Sequence, residues 1–142
     1  MKEQKIKAYL IRVDENTGEC FRGSLQDIPN ELSFLQSFVN FNREHGLIQV
    51  INIEGIDVIC EDEGKLKQFP ISRVWVEGTE IVDVFVGNLI CIRADEATGE
   101  FTSIREEDIS VIRKYLKPVV PLKNGKAMII PDETWLEEWK EK

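Results

Sequence analysis

Short apolar runs separated by turn residues dominate the chain. Lys7-Ala8-Tyr9-Leu10-Ile11-Arg12-Val13 predicts a first strand, Asp14-Glu15-Asn16-Thr17-Gly18 a turn, and Glu19-Cys20-Phe21 a return strand. Leu32, Leu35 and Val39 then recur at helical spacing, widened by Phe34, Phe38 and Phe41, with Asn30 as N-cap and Gly46 as stop. Residues 47–53 and 56–60 read as a β-hairpin turning at Glu54-Gly55, a register that sets Ile53 opposite Ile56 and Ile51 opposite Val58. After the turn Glu61-Asp62-Glu63-Gly64, Lys65-Leu66-Lys67 alternates as a half-exposed strand does, and Pro70 places a bend or a sheet edge.

Val74-Trp75-Val76 and residues 81–86 flank a turn at Glu77-Gly78-Thr79, and residues 89–93 continue as a strand after Gly87-Asn88. A second turn follows at residues 95–99. Ser103 and Glu106 have capping-box spacing before a helix with Ile109, Ile112 and Leu116 on its buried face, ending before Pro118. In the tail, Asn124-Gly125 marks a turn before the apolar run Ala127-Met128-Ile129-Ile130. Asp132 caps an expected last helix carrying Trp135, Leu136 and Trp139.

The fold class expected is therefore α+β. One domain holds a mostly antiparallel, hairpin-rich sheet, one helix after the first hairpin and two C-terminal helices. Residues 1–116 form the expected core domain, and residues 117–142 an extension whose hairpin-like turn and short helix pack on it. The 142 residues suffice for one hydrophobic core. One internal echo, Ile11-Arg12-Val13-Asp14-Glu15-Asn16-Thr17-Gly18-Glu19 against Ile92-Arg93-Ala94-Asp95-Glu96-Ala97-Thr98-Gly99-Glu100, reads as two similar hairpin turns, since the flanking residues do not continue the match.

Composition narrows the function. A net charge of −8 argues against indiscriminate nucleic-acid binding, which needs basic surface. No apolar run reaches membrane-spanning length, and no secretory-type segment follows Met1, so a cytoplasmic protein is expected. Cys20, Cys60 and Cys91 are odd in number, widely spaced and set in or beside apolar runs; they read as buried, reduced thiols and not as a disulfide framework.

No catalytic, metal or phosphate motif stands out. Asp14, Asn16 and Gly18 resemble a calcium loop only superficially, because the glycine comes one position early and Leu25 stands where the final glutamate belongs. One histidine, His45, and scattered cysteines do not make a zinc set, and neither a Walker loop nor a dinucleotide fingerprint is present. No metal, cofactor or catalytic residue is expected. Lys65, Lys67 and Arg73 surround the proline corner and read either as a solvated edge or as a cationic site for an anionic ligand or acidic partner. Trp135 and Trp139, one helical turn apart, read as packing or as a partner surface. A homodimer is permitted by exposed strand edges and tryptophans, though nothing in the sequence demands one.

Four segments carry a family resemblance. Glu63-Gly64-Lys65-Leu66 followed by Phe69-Pro70-Ile71-Ser72-Arg73 resembles the EGKL…LPxNR signature of domain of unknown function 3846. Asp83-Val84-Phe85-Val86-Gly87, Gly99-Glu100-Phe101-Thr102-Ser103-Ile104 and Leu47-Ile48-Gln49-Val50 are similar, in order, to further segments of that family. The resemblance spans roughly residues 7–116. Ser72 replaces the family's asparagine, and a glycine pair is reduced to Gly46. The resemblance implies an accessory protein of bacteria, phages or conjugative elements and brings no catalytic residues.

The function expected is binding without catalysis: sequestration of a host protein or a small anionic ligand, in a counter-defence setting. The alternatives are a structural or regulatory module that docks through the tryptophan tail, and a small hydrolase-like enzyme with no recognisable motif, whose cleft would gather distant acids with a cysteine or His45.

Overall fold

The computed structural model describes residues 4–137 of the chain. Its strands are β1 (Lys5–Ile11), β2 (Ser24–Pro29), β3 (Ile48–Ile53), β4 (Ile56–Glu61), β5 (Ile71–Glu77), β6 (Glu80–Val86), β7 (Leu89–Ala94), β8 (Phe101–Thr102), β9 (Leu116–Lys117), β10 (Val119–Pro121) and β11 (Ala127–Ile129). Among the described residues two α-helices, α1 (Leu32–Val39) and α2 (Asp108–Tyr115), complete an α+β fold whose strand pairs are antiparallel. The large sheet runs β2-β1-β7-β4-β3 with β8 beside β7; a small sheet runs β6-β5-β9; β10 and β11 form a hairpin. No helix among the described residues is long and apolar enough to cross a membrane.

Both faces of the large sheet are covered. Leu35, Phe38 and Val39 of α1 pack on Ile6, Ala8, Leu10, Ile59, Ile90 and Ile92. On the other face, Ile112 of α2, Leu116 and Phe85 of the small sheet pack on Tyr9, Ile11, Val58 and Cys91. All six residues of β4 are therefore buried, and each large apolar side chain so placed contributes about 1.5–3 kcal/mol. A third cluster joins Val13, Cys20 and Val74 to Val119, Ile130 and Leu136 of the tail.

The β3–β4 hairpin has the expected register, Ile53 opposite Ile56 and Ile51 opposite Val58. The two echoing turns also agree in detail. Asp14 Oδ1 accepts the N–H groups of Asn16 and Thr17, and Asp95 Oδ1 those of Ala97 and Thr98. Yet Ile11 faces the α2 side of the sheet and its counterpart Ile92 the α1 side. The likeness is thus local to the turns.

Several expected elements differ. The return strand at Glu19-Cys20-Phe21 is reduced to a single Val13–Cys20 bridge, and the paired strand is β2, an edge with one buried residue, Ile28. Asn30 does not cap α1; Glu31 takes that position, and the Asn30 amide instead donates to the Phe101 carbonyl at 3.1 Å. Left-handed Phe41 and Asn42 end α1 well before Gly46. Lys65-Leu66-Lys67 is not a strand but part of two successive turns, closed by Lys67 N–H to the Glu63 carbonyl (2.9 Å) and Phe69 N–H to the Gly64 carbonyl (3.0 Å). Ser103 does not cap α2, because its Oγ accepts the Lys7 N–H at 2.9 Å; Asp108 Oδ2 receives the Arg105 N–H at that helix start. Where a third, C-terminal α-helix was expected, the described residues begin with a 3-10 turn at Glu133–Trp135, and the expected helix beyond residue 137 lies outside the described residues.

That turn delivers Glu133 into the core. Arg73 is completely buried, and its guanidinium donates to Glu133 Oε2 (3.0 Å) and to the carbonyls of Ser72 and Phe21, both at 2.7 Å. Glu133 also accepts the Tyr9 hydroxyl and the Gly23 N–H (3.2 Å). A register shift between Ile71 and Arg73 leaves Ser72 as the bulged residue of β5; Ser72 Oγ donates to the Phe85 carbonyl at 3.3 Å. Gly23 has no side chain because the Tyr9 ring lies where its Cβ would stand, with Cε2 2.2 Å from that point.

Removing one partner of a buried ion pair costs about 3–5 kcal/mol, because the other charge is left desolvated. Glu133→Ala is therefore expected to lower the unfolding free energy in urea by about 3–5 kcal/mol, and a loss below about 1 kcal/mol would show that the pair does not hold the tail. Arg113 beside Asp132 holds that carboxyl down at about 2, with a further hydrogen bond from Thr134. A carboxyl lowered by folding stabilises above its unfolded value of about 3.9 and loses that contribution as pH falls. Asp132→Asn should be less stable than wild type at neutral pH, and thermal melts should show the gap closing as pH falls from about 4 toward about 2.

Candidate functional site

A groove of about 190 Å³ opens where the small sheet meets the edge of the large one. Gln49 and Ile51 of β3 and Cys60 of β4 form its floor; residues 61–66 form one wall and residues 83–86 of β6 the other. Local sequence explains the walls. Gly64 packs so closely that a Cβ would stand 2.9 Å from Val86 Cγ2, and one on Gly87, at φ 75°, would stand 2.9 Å from the Phe69 ring. Phe69 is in turn held edge-on by Phe41, with ring centroids 4.8 Å apart. Gly87 N–H donates to the Pro70 carbonyl at 2.9 Å, so the proline corner is pinned to the end of β6. Leu66 is left projecting at the rim, 81% exposed.

Lys65, Lys67 and Arg73 do not converge. Lys65 reaches the groove and pairs with Asp83 Oδ1 at 2.9 Å, which holds the Asp83 carboxyl below its usual range. Lys67 turns toward the end of α1, 3.1 Å from Glu61 Oε1 and 3.0 Å from Asn40 Oδ1. Arg73 is in the core with Glu133. Each of the three thus has an internal carboxylate partner. The groove itself is lined by Glu61, Asp62, Glu63 and Asp83 against one lysine. The three cations are therefore divided among three separate ion pairs, and the groove's lining carries more carboxylates than cations. Trp135 is half-exposed on the 3-10 turn, next to buried Leu136; Trp139 lies outside the described residues.

The Cys–His pairing is not formed. His45 is 93% exposed and its charged neighbour is Glu44, at 3.8 Å, whereas all three thiols are buried. Burial pushes the Cys91 thiol up to about 12. Burial, reinforced by Asp62 and Glu61, pushes Cys60 up to about 11, although it lines the groove. Cys20 is also raised by burial. Such thiols stay protonated and unreactive at neutral pH. Among the described residues no three His, Cys, Asp or Glu side chains are grouped to hold a metal.

Sequence reasoning singled out Lys65 but missed Gln49, Leu66 and Asp83. Leu66 carried a local signal, a large apolar residue between two lysines in a glycine turn. The Lys65–Asp83 pair spans 18 positions and left none.

Ellman's reagent at pH 8 should leave the native protein's thiols essentially unreacted and titrate all three in denaturant. Rapid native reaction at Cys60 would reopen thiol chemistry in the groove.

No curated protein and no solved structure matches the chain. The family described as Domain of unknown function (DUF3846) matches residues 6–133. The match runs past residue 116, where the motif resemblance stopped, and includes the β10–β11 hairpin and Glu133. On that coverage, most of its length, the chain belongs to the DUF3846 family.

Proposed function

We propose that this protein works by binding, as a non-enzymatic accessory protein of phage or mobile-element type that sequesters a host protein in a bacterial cytoplasm. A counter-defence role is the setting the motif resemblance suggests. One observation carries the reading. Three of the segments that bear the resemblance meet around the same groove: Gln49 from the first, Glu63 to Leu66 from the second, and Asp83 to Val86 from the third. Lys65 and Asp83 link two of these segments directly.

The groove's size favours a polypeptide. Small-molecule pockets run to about 300–1,000 Å³, and this groove, at about 190 Å³, has room for one or two side chains. The exposed Leu66 beside it supplies the apolar contact that a protein interface would bury. A second reading, docking through the tail, is favoured by the exposure of Trp135 with Ile129 and Leu122. Deleting residues 118–142 would not separate the two readings, because Val119, Ile130 and Leu136 are core residues.

Native mass spectrometry of protein purified from a bacterial host background tests both. Wild type is expected to retain a protein partner that Leu66→Asp loses and Trp135→Ala keeps. The reverse pattern assigns the interface to the tail, and partner retention by both variants, or by neither form of the protein, overturns the groove reading.

A further inference from the structure

The outer edge of β6 is unpaired: among the described strands β6 pairs with β5 alone. The edge is seven residues long, Glu80–Val86, and Ile81 and Val82 on it are exposed. An open edge of this length recruits other strands unless it is guarded. Two features guard it: a register shift between Trp75 and Val76, which leaves Val82 as the extra residue of β6, and the side chain of Asp83. Asp83 Oδ1 takes the N–H of the next residue, Val84, at 2.7 Å and also receives Lys65 Nζ at 2.9 Å. Both members of that ion pair are largely exposed, with side chains 64% and 43% accessible, so the latch contributes little and exchanges readily.

We infer that an extended, basic segment of a partner protein adds to the free edge of β6 and places a lysine or arginine in the acidic groove. This rests on the binding reading above and names the partner's chemistry. Strand addition draws affinity from main-chain hydrogen bonds and specificity from alternate side chains. Both parts are in place. A partner carbonyl replaces Asp83 at the Val84 N–H, and the freed carboxylate, with Glu63 and Asp62 beside it, receives the partner's cation in place of Lys65. Residues on either side of that cation point away from the groove, as strand alternation requires. Charge decides the occupant. A second copy of this chain would bring another net charge of −8 and its own Glu80 and Asp83 to the same edge.

The test is an amide NMR titration of the full, nitrogen-15-labelled chain with three capped peptides: one alternating lysine and valine, one alternating glutamate and valine, and the lysine peptide N-methylated at alternate residues. The lysine peptide is expected to shift residues 81–86 and Leu66, more weakly as salt is raised. N-methylation, which keeps the charge but blocks pairing, and Asp83→Asn, which keeps the Oδ1 acceptor and hence the fold, should each weaken binding by about tenfold. Equal binding of the N-methylated peptide overturns strand addition, and equal binding of the glutamate peptide overturns the charge argument. Shifts confined to other surfaces, or none up to millimolar peptide, overturn the site. Concentration-dependent shifts of residues 81–86 without peptide would assign the edge to a second copy instead. If the Leu66-dependent partner is retained in mass spectrometry while no peptide shifts β6, the binding reading stands and only strand addition falls.

Discussion

The fold depends on a charge that water cannot reach. Arg73 lies wholly inside the protein, and an unpaired guanidinium there would cost several kcal/mol in lost hydration. Glu133, 60 positions later, removes that cost, and the structure around the pair is arranged to let them meet. The bulge at Ser72 turns Arg73 inward, Gly23 clears space for the Tyr9 ring, and the 3-10 turn lowers Glu133 onto both. Tyr9 bonds to the same carboxylate, and burial, reinforced by that bond, raises its hydroxyl well above the ordinary tyrosine value. Four separated segments are thereby fastened at one point. Arg73 Nε still has no partner, so the network is tight without being complete.

The same network bears on which edge of the small sheet is left open. With β5 tied to the core through Arg73, the small sheet has one protected flank, against β9, and one open flank, β6. The proline corner and two close-packed glycines hold the 61–66 wall against the end of that open strand. A close-packed corner thus stands beside an unpaired edge, and the groove lies between them.

The legible parts of the sequence were those whose partners are close. The β3–β4 register followed from apolar residues facing one another across a two-residue turn, and the Asp14 and Asp95 turns from side chains bonding two and three residues ahead. The misread parts have distant partners. Three residues, Lys65-Leu66-Lys67, alternate equally well on a strand and in successive tight turns; here the backbone closes on itself in turns, with Gly64 packed close against Val86 from a distant strand. Asn30 and Ser103 looked like caps because their types suit caps, yet each is claimed by a segment about 70 to 100 positions away. Arg73 looked like a surface cation because nothing near it in sequence shows that it is paired. The groove was invisible for the same reason: its walls come from three stretches that meet only after the sheets have packed.

The buried arginine also bears on how the chain is made. Synthesis runs from the N-terminus, and domains generally fold as their residues leave the ribosome. Here β1, β5 and the loop between Phe21 and Gly23 all emerge long before Glu133. Until that carboxylate arrives, closing the core would trap Arg73 without its counter-charge. This side of the core therefore cannot close with its charges matched until Glu133 has emerged, and a chain cut short before Glu133 leaves the Arg73 guanidinium without its carboxylate partner.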